Sequence, residues 1–253
     1  FFLQALNELK NKFESLGGQI EFLFGRASEE IPKLAIEYGA SYCFTQREDA
    51  WEEIKEERKL AEKCELILTE GKGLFEKEDL PFELKNLPGV FSSFRRKVEK
   101  NLNIRPLIPA PKKISCSWTP KNLQPTLQNF GLEEFETEKR AVLDFRGGED
   151  AGKSWMNEWI WERDCLKSYK ETRNGMVGSD YSSKLSPWLS SGCLSAVQVY
   201  WEIKKYEEER VANESTYWLF FELLWREFFR FVSRLNGPKL FWRIGIKEAG
   251  NIR

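Results

Sequence analysis

Apolar positions in the first seventy residues switch between two periods. Leu3, Leu6, Leu9, Phe13 and Leu16 recur three or four apart, the spacing of one helix face, and Gly17-Gly18 follows as a stop. Ile20, Phe22 and Phe24 then alternate with other residues, so Gln19 to Phe24 reads as a strand. Ser28 is placed to cap a helix that runs to Tyr38 and ends at Gly39. Ser41 to Thr45 reads as a second short strand, Asp49 to Lys63 as a charged helix and Glu65 to Thr69 as a third strand. Helix and strand repeated three times argue for a parallel α/β sheet. A crossover helix ordinarily follows a strand, and this series opens with a helix. The chain is therefore expected to be cut at its N-terminus.

The pattern changes twice more. Five of the 10 prolines (Pro106, Pro109, Pro111, Pro120 and Pro125) fall between residues 103 and 138, which suits a long extended connection and equally an ordinary surface loop. From Glu138 onward the sequence is helical and aromatic, and eight of the 10 tryptophans lie beyond residue 150. The expected organisation is an α/β domain at 1–102, a proline-rich connector at 103–138 and an all-α domain at 139–253.

Composition narrows the chemistry. Lys plus Arg total 39 against 40 for Asp plus Glu, so no polycationic nucleic-acid binder is implied. Hydrophobic residues at 41% exclude a disordered chain, and no apolar run approaches a membrane span. No signal peptide opens the sequence. Five cysteines without a CxxC spacing suit neither a zinc site nor a disulfide framework, and a reducing, cytoplasmic setting is expected. There is no histidine at all, which removes Ser-His-Asp and Cys-His catalysis and histidine metal ligands together. Any chemistry must use carboxylates, Arg, Lys, Tyr, hydroxyls or a cofactor.

Three stretches carry candidate chemistry. Tyr181 to Leu189 places Ser182, Ser183, Lys184 and Ser186 before a helix start, with Ser186 as N-cap and Pro187 as its first residue. That is a well-capped helix or, more sharply, a phosphate seat. Ser215 to Phe231 is apolar almost all round, as in a buried helix, with Glu222, Arg226, Arg230 and Arg234 as one stripe flanked by Trp218 and Trp225. Such a stripe is a solvated face or the wall of a cavity for a flat, polar-edged ligand such as a flavin or nucleobase. Tyr169 and Arg173 stand one helical turn apart in a third stretch, Trp161 to Asn174, which as a plain surface helix would carry no chemistry.

These blocks resemble the photolyase/cryptochrome family. The resemblance rests on Gly147-Gly148-Glu149, Tyr169-Lys-Glu-Thr-Arg173-Asn174, Tyr181-Ser-Ser-Lys-Leu-Ser-Pro-Trp188, Gly192-Cys-Leu-Ser195 and Asn213-Glu-Ser-Thr-Tyr-Trp218 through Trp225-Arg-Glu-Phe-Phe-Arg230. The Tyr-Ser-Ser-Lys and Ser-Thr-Tyr-Trp blocks look most like the DASH branch. Asp79-Leu-Pro-Phe-Glu-Leu84 and Val90-Phe-Ser-Ser-Phe-Arg-Arg-Lys-Val98 are similar to the same branch.

The resemblance implies a Rossmann-like N-terminal domain, a long connector and a helical FAD-binding domain. It assigns FAD contacts to Tyr169, Ser182, Ser183, Lys184, Leu185, Ser186 and Arg226, and lesion contacts to Glu222 and Trp225. The implied activity is light-driven repair of cyclobutane pyrimidine dimers, flipped out of DNA and split by an electron from reduced flavin, with single-stranded DNA preferred. A methenyltetrahydrofolate antenna is implied, with Glu52 or Glu53 as its acidic contact; a charged helix face accounts for either glutamate as well. No metal and no membrane partner is implied.

The alternatives are a blue-light receptor without repair and, supported by the first seventy residues alone, a nucleotide-binding α/β module. The family's opening strand is absent, the sequence stops at Arg253 where the family continues, and Leu194-Ser195-Ala196-Val197 departs from the usual Leu-Ser-Pro-Arg. The chain is thus expected to be a fragment truncated at both ends. Alone, it is expected to be inactive and to bind FAD weakly or not at all.

Overall fold

Nine α-helices and two strands, with six short 3-10 or π segments, make up the regular structure of the described residues in the computed structural model, which describes residues 1–134 and 136–246. In chain order these are α1 (Phe2–Ser15), α2 (Ala27–Tyr38), β1 (Cys43–Gln46), α3 (Trp51–Ala61), β2 (Leu66–Thr69), α4 (Phe91–Glu99), α5 (Glu149–Asn157), α6 (Tyr169–Thr172), α7 (Ser186–Ser190), α8 (Ala196–Glu209) and α9 (Glu214–Asn236). The family of folds is the expected one, with a small parallel sheet early in the chain and helices after it. Between α4 and α5 the described residues hold only a short 3-10 turn, Leu127–Phe130.

Contacts divide the chain into two units. The first comprises Phe1–Leu23 with Pro106–Phe221, and the second Phe24–Arg105 with Glu222–Arg253. Helix α1 thus packs with the helical region, and the last four turns of α9 belong with the sheet.

In the second unit β1 and β2 run parallel, with Cys43 opposite Leu66 and Gln46 opposite Thr69. Helix α2 stops where Gly39 takes a left-handed φ of 62°, a conformation that carries little penalty without a Cβ. The core gathers Leu74, Phe75, Phe94 and Val98 with Leu224, Phe228 and Phe231 of α9. Phe94 lies 5.5 Å from Phe228 and 6.3 Å from Phe231, ring centre to ring centre. Each such side chain contributes about 1.5–3 kcal/mol when fully buried.

The first unit is built on indoles. Trp159, Ile160, Leu166, Trp188, Val199, Ile203 and Tyr206 are buried together with Leu194. Helix α8 begins with a reciprocal cap between Ser195 and Gln198, which is the structural use of the Gly192-Cys-Leu-Ser195 block. Helix α9 is capped by the Asn213 side chain, which accepts from the amides of Ser215 and Thr216 at 2.8 and 3.0 Å. The turn after α1 requires Gly17 at φ 88°, where a Cβ would stand 2.8 Å from the Ile114 carbonyl oxygen.

Several expectations need correction. No strand forms over Gln19 to Phe24, which has no ladder partner among the described residues. Its Glu21 carboxylate instead accepts from the amides of Lys121 and Asn122. Arg26, not Ser28, caps α2; Ser28 lies in the first turn and its hydroxyl donates to Glu56 at 2.7 Å. Ser186 is the first residue of α7 rather than its cap, which is Leu185. The first sheet strand starts two residues later and ends one later than the expected Ser41 to Thr45, and α3 is shorter at both ends. Helix α9 is not buried all round, since Phe229 is 60% exposed.

Candidate functional site

Within the first unit the chemistry-bearing segment is the loop ahead of α7, and three side chains of the α5 region hold it. Trp155 donates its indole N–H to the Ser183 carbonyl at 2.7 Å, and Trp159 donates to the Asp180 carbonyl at 3.0 Å. Arg163 reaches the Ser179 hydroxyl and the Asp180 carboxylate, each at 2.7 Å. That guanidinium keeps Asp180 below the usual carboxylate range. Trp159 also meets Tyr169 edge to face at 5.5 Å, so the same indole orients Tyr169 and the loop.

Lys184 is the unusual residue of this loop. Two described non-glycine residues have a left-handed backbone, Asp164 at φ 54° and Lys184 at φ 52°. A lysine in that region carries strain, which surrounding contacts must impose. Its ammonium donates to the carbonyls of Ser179 and Ser182 at 3.1 and 3.3 Å and to the Ser182 hydroxyl at 3.3 Å. All three acceptors are neutral, and burial pulls the ammonium below its ordinary pKa. Leu185 is buried beneath, while Ser182 and Ser183 are half-buried and Ser186 is exposed. Helix α7 has only five residues, so the donors here are side chains and loop amides more than a helix dipole.

Trp218 adds a feature that spacing alone did not assign. Lys170 and Arg173 of the Tyr169 segment lie over its ring at 5.3 and 5.0 Å. Its indole N–H is buried and has no hydrogen-bond partner among the described residues.

The second unit holds a separate cluster around α9. Trp225 stacks face to face on Phe91, with centroids 3.6 Å apart and planes 12° apart. Glu222 is half-buried one turn earlier. Arg226 donates to the Lys72 carbonyl at 3.3 Å and pairs with Glu227 at 2.8 Å. The expected stripe of Arg226, Arg230 and Arg234 is therefore a set of internal ion pairs. Arg230 pairs with Asp49 at 2.7 Å and Glu227 at 3.1 Å, and Arg234 pairs with Asp49 at 2.6 Å and Glu70 at 3.2 Å.

Glu227 is the residue that sequence reasoning passed over. It is wholly buried and also accepts from the Phe75 amide at 3.4 Å. Its signal was present as spacing, three before Arg230 and seven before Arg234. Asp49, far away in sequence, left no such signal.

Nearby, Glu76 is buried against Glu70 and Arg105. Burial first, and then the Glu70 carboxyl, push Glu76 up to about 7, so it holds a proton toward Glu70 near neutrality. Burial opposes ionisation of Glu70, yet that hydrogen bond and Arg234 bring its pKa below the ordinary value. Glu52 and Glu53, the folate candidates, are both exposed in the first turn of α3.

A carboxylate cluster in the first unit, Glu8, Glu149 and Asp150, has oxygen atoms close enough to hold a cation. The Lys12 ammonium already fills that role, at 2.8, 3.1 and 2.6 Å from the three. No helix of the described residues is long and apolar enough to cross a membrane.

The DNA photolyase family model matches residues 1–112. Cryptochrome DASH of Synechocystis is 42% identical over 260 residues, covering 97% of this chain and 52% of its own length. The chloroplastic/mitochondrial cryptochrome DASH of Arabidopsis thaliana is 40% identical over 253 residues, covering 95% and 44%. Among solved structures, a Synechocystis cryptochrome superposes with a TM-score of 0.90 at 40% identity, covering 98% of this chain and 53% of the other. A class III photolyase of Agrobacterium tumefaciens, at 23% identity and a TM-score of 0.72, covers 92% and 48% and shares the fold. The chain spans about half the length of the curated relatives it matches. On that breadth of similarity, the chain belongs to the photolyase/cryptochrome family and is of the DASH type.

Proposed function

We propose that this sequence serves a light-driven, FAD-dependent enzyme that repairs cyclobutane pyrimidine dimers in DNA, with single-stranded or looped DNA as substrate. The observation that carries the reading is the Lys184 loop. A strained lysine whose ammonium touches only neutral oxygens, beside three serine hydroxyls, suits a diphosphate. In this reading Ser182, Ser183, Lys184, Leu185 and Ser186 form the phosphate seat and Tyr169 borders it, while Arg226 is assigned to FAD by the family resemblance alone. The domain reading of 1–102, 103–138 and 139–253 belongs to the same proposal.

A reduced flavin held there would supply, on excitation by blue light, the electron that splits the dimer. The chain's own residues bind and orient. Lys184 balances phosphate charge, and Trp155 and Trp159 hold its loop against the pull of the ligand. Trp225, its plane fixed by Phe91, offers an aromatic surface to a flipped base, and Glu222 accepts a hydrogen bond from the base edge. A receptor without repair needs neither residue, which favours repair over sensing.

A methenyltetrahydrofolate antenna at Glu52 or Glu53 belongs to the same proposal. So does a cytoplasmic setting, which the five free thiols support. The test is repair of a dimer-bearing oligonucleotide under blue light by the full-length gene product and its Glu222→Gln variant. Light-dependent repair that falls at least tenfold in the variant supports the reading. Absence of repair in the parent, or an unchanged yield in the variant, would remove it.

A further inference from the structure

Helix α4 sorts its side chains by face. Phe91, Phe94 and Val98 are buried, with Phe91 against Trp225 and Phe94 against Phe228 and Phe231. Ser93, Arg96 and Lys97 lie on the opposite side, and Lys100, the C-cap, continues that face with helical backbone angles. The three cations are exposed, and none of them pairs with a carboxylate among the described residues. Glu99, the one acid of the helix, pairs with Arg95 on the flank at 3.5 Å. Lys97 lies over the Phe82 ring at 5.4 Å, and Phe82 meets Phe94 edge to face at 6.2 Å. Together with Glu99, the four side chains of this face line an open cleft of 470 Å³.

The balanced charge of the whole chain conceals this face. Residues 85–105 carry six basic side chains and one acidic, whereas residues 48–83 carry 13 acidic and six basic. A cation in a last helical turn complements the helix dipole, for about 0.3–1 kcal/mol. Three on one face also repel one another, which an external anion relieves. Arg96 and Lys100 stand about 6 Å apart along the helix axis, so the charges are strung out and suit a polymeric anion. A protein partner would need apolar anchors to bury, and this face has none, because Phe91, Phe94 and Val98 turn inward. Nor does it carry an Asn or Gln to read base edges, so the contact it can make is with backbone phosphate.

We propose that the outer face of α4 binds the phosphate backbone of nucleic acid through Arg96, Lys97 and Lys100, without regard to sequence. Ser93 adds a hydroxyl donor at the head of the cleft. The contact is separate from Glu222 and Trp225, since it lies on the side of α4 turned away from Phe91. It shares with the repair reading only the class of ligand, and needs neither a lesion, a flavin nor light.

The experiment measures binding of an undamaged, dye-labelled oligothymidylate of about 20 nucleotides to the 253-residue chain by fluorescence anisotropy, in the dark and without flavin, over a salt titration. For single strands each neutralised phosphate adds about 0.7 to the slope of log affinity against log salt. Replacing Arg96, Lys97 and Lys100 together by Gln should therefore lower that slope by about 2, and weaken binding at low salt at least about tenfold. Lys33→Gln, Lys55→Gln and Lys59→Gln combined remove the same charge from α2 and α3 and should leave the slope as it was. On the wild type, Lys97 and Lys100 should be protected from acetylation by the oligonucleotide, and Lys33 and Lys55 should not. This protection decides the question even if the α4 variant fails to fold. An unchanged slope in the α4 variant, an equal fall in the α2–α3 variant, or no protection of Lys97 and Lys100 would each overturn the proposal. Displacement of the oligonucleotide by polyglutamate at equal charge concentration would assign the face to an acidic polypeptide and overturn it as well. Repair activity of the full-length product is read separately, so either idea can fail without the other.

Discussion

The two units hold their functional side chains by opposite means. In the first, neutral indole donors grip backbone carbonyls: Trp155 holds Ser183, Trp159 holds Asp180 and Trp188 holds Arg146. In the second, charge does the holding, with three arginines of α9 set among Glu227, Asp49 and Glu70. A bond from indole to carbonyl involves no ionisable group, whereas a buried ion cluster depends on every member remaining in its charge state. The indole contacts that hold the loop proposed for phosphate are therefore insensitive to pH, whereas its Arg163–Asp180 pair and the ion pairs around the helix bearing Glu222 and Trp225 are not.

That contrast can be broken at its strongest point first. Glu227→Ala removes the carboxylate between Arg226 and Arg230 and frees the Phe75 amide, leaving buried donors without an acceptor. Denaturant unfolding should show a loss of about 3–5 kcal/mol. A loss below about 1 kcal/mol would mean that the network relaxes to water.

Trp159→Phe keeps a ring against Tyr169 and deletes only the donor to Asp180. It should cost about 1–3 kcal/mol and speed proteolysis or amide exchange over the Asp180 to Leu185 loop, without any such change at α9. Unchanged exchange at the loop would show that Arg163 alone suffices to hold it.

A smaller effect separates the units by pH. Glu76 is raised in the folded chain from 4.5 to about 7, so the folded state holds a proton that the unfolded state releases. Stability linked to Glu76 is therefore present below the unfolded value and is lost as pH rises toward 7. Glu70, depressed in the folded state, acts in the opposite sense and loses its contribution as pH falls through its folded value. Glu76→Gln imitates the protonated form and should flatten the fall by roughly 1–2 kcal/mol across that window. A slope the same in the variant as in the wild type would assign the pH dependence elsewhere.

The smallest effect is expected on α3. Glu52→Gln and Glu53→Gln lie on an exposed first turn and should change stability by no more than about 0.5 kcal/mol. If either contacts the folate antenna, the variant loses the folate absorption band in the full-length product while unfolding as before. Retention of the band in both variants would withdraw the two residues.

Legibility in the sequence followed the range of the interaction. Helix α1, the Gly39 stop and the Leu66–Thr69 strand were readable because their determinants lie within one or two turns of each other. The Gln19–Phe24 segment has the right alternation, but a strand also needs a partner, and alternation carries no information about one. The Tyr181 to Trp188 block was legible as a unit of donors, while the left-handed Lys184 and the indoles beneath it were not. The arginine stripe was visible as spacing. Its meaning was not, because Asp49 and Glu70 reach it from more than 160 positions away.

The most direct test of the central claim compares FAD with riboflavin, which carries no phosphate, as ligands of this chain and its Lys184→Ala variant. Equilibrium dialysis at flavin concentrations high enough to fill a weak site would give both affinities. The Lys184 loop as phosphate seat predicts that the wild type prefers FAD over riboflavin. It also predicts that Lys184→Ala lowers FAD affinity by about tenfold or more, as for a lost charge-assisted hydrogen bond, and leaves riboflavin affinity unchanged. Equal binding of the two flavins by the wild type, or FAD affinity unaltered by the substitution, would contradict it.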